Sequence, residues 1–166
     1  QVAPYSGPLA PIGSHVGAGA QLYFDRVNAA GGIHGARIRL VTKDDGYKVP
    51  ETVKLTRELI REAAPVALVG MVGTGNVEAL VKEGVLAEAD IPVVGIRSGA
   101  LSLVSPVVPQ LFHTRASYAA EVEKIVQQLA TTGIKRVAVP YQDDPLGLDG
   151  LAGAHKSLEQ HKLQLL

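Results

Sequence analysis

Two apolar runs restrict this chain more than any other feature: Val66-Ala-Leu-Val69 and Ile91-Pro-Val-Val-Gly-Ile96. Both are continuous rather than alternating, as in parallel strands covered on both faces. Each gives way to a loop rich in Gly and Ser, and helical spacing lies between them. A chain built this way folds by alternating buried strands with crossover helices.

The remaining segments keep the same rhythm. Gln1-Val-Ala-Pro4 reads as the end of a strand whose start is missing. Ser14 is a plausible N-cap for a helix with Val16, Ala20, Tyr23, Phe24 and Val27 on one face, ended by Gly31-Gly32. Ala36 to Thr42 alternates as a strand and Asp44-Asp45-Gly46 breaks it. Pro50 opens a second helix with a stripe of Val53, Thr56, Leu59, Ile60 and Ala63. A third helix runs from Asn76 to about Ala89. Leu111 to Thr114 is a short strand. Ser117 caps a helix that carries Val122, Ile125, Val126 and Leu129 and ends at Gly133. Lys135 to Tyr141 is a strand, Asp143 to Gly150 a loop, and Gly150 to Gln160 a helix. Lys162 to Leu166 starts another strand. The class is α/β, a parallel sheet flanked by helices on both faces. Ligands of such sheets bind beyond the carboxyl ends of the strands. Those ends carry Tyr5–Gly13, Asp44–Gly46, Gly70–Asn76, Arg97–Pro109 and Gln142–Gly150.

Charge and composition exclude several functions. Sixteen basic and 16 acidic residues are mixed along 166 positions, without a block of one sign. Nucleic acid and acidic membrane surfaces therefore have no electrostatic footprint here. Aromatic residues make up 4%, too few for base-stacking platforms. There is no cysteine, which removes disulfides, thiolate nucleophiles and cysteine metal sites. No stretch approaches the roughly 20 apolar residues that span a bilayer, so direct membrane insertion is not expected.

The loop Gly70-Met-Val-Gly-Thr-Gly-Asn76 is the most suggestive motif. Gly73-Thr-Gly75 looks like the start of a dinucleotide fingerprint, but Glu78 stands at its third glycine and would face the pyrophosphate. The next strand ends in Gly95-Ile-Arg97, without the acidic residue that holds a ribose. No G-x-x-x-x-G-K-[ST] occurs. Two readings stay open: helix-start N–H groups with the Thr74 hydroxyl holding a small carboxylate, or Thr74 and Asn76 merely capping the helix. Asp44-Asp45 and Asp143-Asp144 read as turn caps. The five histidines make no metal spacing, with His155 and His161 on a solvated helix face. G-x-S-x-G is absent.

Several segments together resemble a known family. Pro4-Tyr-Ser-Gly-Pro-Leu-Ala10, Gly17 to Asp25 with Arg26-Val-Asn-Ala-Ala-Gly-Gly-Ile33, Asp44-Asp45, the glycine loop, Ile91-Pro92 and Phe112-His-Thr114 look like periplasmic substrate-binding proteins of the branched-chain amino-acid ABC transporter type. The resemblance runs over the whole chain in one register. It implies two α/β lobes of the type I periplasmic binding fold, closing on a ligand in a cleft, without catalysis, cofactor or metal. It implies a first lobe over 1–117, its first strand mostly missing, and the start of a second over 118–166. It also implies a periplasmic location and docking on an inner-membrane ABC permease.

Carried over by position, the resemblance puts Thr74 on the ligand carboxylate, with Gly73 keeping the backbone open. Tyr5 and Ser6 lie in the first loop. The loop that reads Ser/Ala-Ala-Thr in the family is Arg97-Ser98-Gly99-Ala100 here. Its threonine has become glycine, and an arginine suited to a carboxylate precedes Ser98. Tyr118 replaces an aspartate, and Leu146-Gly147 replaces an aromatic-glycine pair. Two handles for an α-amino acid are gone. Either these are neutral changes at a cleft rim, or the ligand is a carboxylate other than an ordinary amino acid, with Tyr5 and Tyr118 packing on its apolar body. The expected function is solute binding for an importer. A sensing domain of the same fold is the alternative, and a nucleotide-dependent enzyme lacks its phosphate loop.

Overall fold

The computed structural model describes residues 1–166. Two compact units make up the chain, Gln1–Arg97 with Pro109–His113, and Ser98–Val108 with Thr114–Leu166. The chain passes between them at 97/98, 108/109 and 113/114, so residues 98–108 belong with the second unit.

The first unit alternates strands and helices in the order β1 (Val2–Ala3), α1 (Ala10–Ala29), β2 (Lys43–Asp44), α2 (Val49–Ala63), β3 (Leu68–Val69), α3 (Thr74–Lys82), α4 (Val85–Ala89), β4 (Val93–Val94) and β5 (Leu111–Phe112). All pairings are parallel. β1 lies on β2, with Val2 opposite Lys43. β4 lies between β3 and β5, with Val93 opposite both Leu68 and Leu111. Leu68, Val77, Leu80 and Val93 are fully buried, and each such aliphatic side chain contributes about 1.5–3 kcal/mol over its exposed state.

The second unit holds a 3-10 turn (Leu101–Leu103), α5 (Tyr118–Thr131), β6 (Arg136–Val137), α6 (Pro145–Gln160) and β7 (Gln164–Leu165). β6 and β7 pair in parallel, Arg136 opposite Gln164. The 98–108 segment is anchored where Leu101 N–H donates to Asp149 Oδ1 of α6 at 2.8 Å.

Helix boundaries depart from the sequence expectations in instructive ways. α1 begins at Ala10 with Leu9 as its N-cap, and Ser14 sits one turn inside. Pro11 fits that first turn, because the N–H it lacks would have no helical partner there. α6 begins at Pro145 rather than Gly150, with Asp144 Oδ1 accepting from Gly147 N–H at 2.8 Å. The helix expected over 76–89 starts at Thr74 and is two helices, parted at Gly84, whose φ of +72° breaks the run. Pro50 and Ser117 act as expected: Pro50 lies in the first turn of α2, and Ser117 Oγ accepts from Ala120 N–H at 3.2 Å.

The expected strands shrink to their central residues. Val66 is 94% exposed, so the run 66–69 is not covered on both faces along its length. It borders a cavity of about 390 Å³ that Gln1, Phe24, Ile38, Leu59 and Val69 also line. Residues 36–42 carry no ladder beyond the Ile33–Ala36 bridge.

Candidate functional site

In the first unit, the loops after β1, β2 and β3 converge. Asp44 organises the meeting of the first two. Its Oδ1 accepts from the backbone N–H of Tyr5 at 2.8 Å, Ser6 at 3.2 Å and Gly46 at 2.9 Å. Those bonds, with one from the Ser6 hydroxyl, hold the Asp44 carboxyl below its ordinary value. Asp45, its neighbour, is buried. It accepts from Tyr47 N–H at 2.9 Å and from the Thr52 hydroxyl at 2.6 Å. Burial pushes its carboxyl upward against those bonds. Adjacent aspartates thus act on opposite sides of the turn, as their alternating directions require.

The same buried network reaches the glycine loop. Asn76 Nδ2 of α3 donates to Thr52 Oγ1 at 2.7 Å. Asp45, Thr52 and Asn76 therefore tie the β2 loop, α2 and the first turn of α3 in one hydrogen-bonded line. Neither Thr74 nor Asn76 caps α3: the cap is Gly73, which has no side chain to offer. Thr74 is the first helical residue, and its side chain is buried. Gly73 sits at φ +103°, and a Cβ there would come 2.3 Å from Asn76 Oδ1 and 2.7 Å from Tyr47 Cε2. Only glycine leaves room for both neighbours.

Tyr5 and Ser6 lie on this rim, but the Tyr5 hydroxyl is turned to Gln1, donating to its Oε1 at 2.5 Å. Gln1 in turn donates through Nε2 to the Gly70 carbonyl at 2.7 Å. The phenol is raised by burial. Gly17 of α1 makes this possible, since a Cβ there would stand 2.5 Å from the Tyr5 hydroxyl. Arg97 joins the first unit through its backbone: its N–H donates to the Met71 carbonyl at 2.7 Å, and it bridges Val72 in parallel. Its side chain is exposed.

The second unit gathers Ser98, Gly99, Tyr118 and Leu146. Ser98 is buried, and its Oγ accepts from Ala100 N–H at 3.3 Å. The Gly99 carbonyl accepts from Tyr118 N–H at 2.8 Å. A Cβ on Gly99 would meet the Ala116 carbonyl at 2.7 Å and Tyr118 N at 2.9 Å, so packing alone calls for glycine where the family pattern has threonine. The Tyr118 ring lies 4.6 Å from the Arg115 guanidinium, an arrangement held by the Arg115–Glu121 ion pair. Tyr118 and Leu146 line one apolar groove of about 480 Å³ between α5, β6 and α6. Leu146 and Gly147 are helical rather than loop residues. A Cβ on Gly147 would come 1.9 Å from the Gln142 carbonyl, a helix-to-loop contact that leaves no room for a side chain.

Sequence reasoning missed Tyr47, Thr52 and Gln1. Tyr47 and Thr52 carry no signal in the sequence and Gln1 is expected only as part of a strand end; the folded chain alone brings them to the glycine loop. It also misplaced His161, whose Nε2 pairs with Glu123 Oε1 at 2.8 Å instead of facing solvent alone. Glu123 accepts from Ser157 as well, at 2.5 Å, and these bonds hold its carboxyl low. The histidine and serine both bond the carboxylate rather than each other, so the trio is a helix–helix clamp between α5 and α6. No helix is long and apolar enough to cross a membrane.

The family model for periplasmic binding proteins matches residues 1–166. Leu/Ile/Val-binding protein homolog 3 of Brucella melitensis is 28% identical over 157 residues, 94% of this chain and 42% of that protein. The crystal structure of a substrate-binding periplasmic protein from Ralstonia solanacearum superposes with a TM-score of 0.95 at 45% identity, covering 99% of this chain and 46% of that one. A solute-binding protein of an ABC transporter from R. palustris, solved with benzoate, gives a TM-score of 0.87 at 26% identity, again over 99% of this chain and 45% of its own. The chain spans less than half the length of each.

Proposed function

On the premise that this chain belongs to the periplasmic binding protein family, we propose that it serves an ABC importer by binding a small carboxylate-bearing ligand outside the cytoplasm. The ligand is delivered to a permease of the inner membrane, and the chain does no chemistry on it. One observation carries this reading. Thr74 is the first residue of α3 and follows a glycine cap without a side chain. The first N–H groups of a helix have no partner within it and present partial positive charge, which suits a carboxylate.

The proposed ligand class follows from the residues that the resemblance to the family assigns to it. In the positional carry-over, Thr74 receives the carboxylate, Gly73 keeps the backbone within reach, and Arg97 adds a cation. At the two positions where the family pattern has handles for an ammonium group, this chain carries Tyr118 and Leu146. Benzoate in the R. palustris neighbour supports an acid with an apolar body as readily as the Brucella relative supports an aliphatic amino acid. Gly99 is weaker support than the sequence alone gave it, because a packing reason for glycine exists there.

A thermal-shift screen of the protein with leucine, isoleucine, valine, benzoate and other small acids tests the proposal. A ligand that binds only the folded state raises the melting temperature by mass action. Shifts with carboxylates and none with their amides are expected. Strong shifts with leucine and isoleucine alone would overturn the altered ligand class and leave an ordinary branched-chain binder.

A further inference from the structure

We draw no further inference here: the strongest candidate, the apolar groove of about 480 Å³ between α5, β6 and α6 in the second unit, is an unpartnered face, and nothing in the structure shows what covers it.

Discussion

Thr52 donates its hydroxyl proton to Asp45 Oδ2 at 2.6 Å inside the first unit, and both side chains are buried. The Thr52 hydroxyl oxygen in turn accepts from Asn76 Nδ2 at 2.7 Å. One hydroxyl therefore satisfies the loop after β2 and the first turn of α3 together. Thr52→Val keeps the shape and removes the link. Two buried polar groups lose a partner at roughly 1–3 kcal/mol each, so the protein should lose about 2–6 kcal/mol of stability. Thr52→Ser should lose less than half of that. Urea unfolding of the three proteins measures it, and a Thr52→Val loss below about 0.5 kcal/mol would show that water replaces the bond.

The two neighbouring aspartates predict opposite acid behaviour. Hydrogen bonds from Ser6, Tyr5 and Gly46 lower the folded pKa of Asp44 below 3.8. Its stabilisation is present above that unfolded value and is lost as pH falls through the lower folded one. Burial raises the folded pKa of Asp45 above 3.8, so that carboxyl favours folding when protonated and costs stability as pH rises through its folded value. Carboxyl chemical shifts followed from pH 2 to pH 7 should give Asp44 the lower midpoint and Asp45 the higher. The melting-temperature gap between wild type and Asp44→Asn should close as pH falls below the Asp44 midpoint. A gap that stays constant with pH would mean that the Asp44 charge contributes nothing.

Gly99 tests whether packing or ligand choice put glycine in the family's threonine position. A Cβ would stand 2.7 Å from the Ala116 carbonyl, and backbone cannot yield as a flexible side chain does. Gly99→Ala should cost about 1–3 kcal/mol in thermal unfolding, the usual range for overpacking. A neutral substitution would return Gly99 to the ligand account.

The α/β class and the parallel order were legible because the centres of the apolar runs pair in parallel and the helical stretches lie between them. Helix starts were less so, although the signals existed: Pro11 and Asp144-Pro145 mark the first turns of α1 and α6, while Ser14 lies inside a helix that needs no side-chain cap. Strand lengths were overread, since periodicity says nothing of whether a neighbouring strand is present, and Val66 faces solvent. Thr74 and Gly73 stood out by local spacing alone. Tyr47 and Thr52 did not, because their roles depend on contacts 24 to 26 positions away in sequence, Thr52 with Asn76 and Tyr47 with Gly73. The packing reasons for Gly99 and Gly147 were hidden for the same cause.

The central claim is that Thr74 holds a carboxylate. Calorimetric titration of the best acid from the screen into wild type, Thr74→Ser and Thr74→Val tests it most directly. The account predicts that Thr74→Val binds roughly 10- to 100-fold more weakly, the worth of a hydrogen bond to a charged group. Thr74→Ser should keep most of the affinity, and the amide of the same acid should bind none of the three proteins well. Equal affinity of wild type and a folded Thr74→Val would contradict the claim.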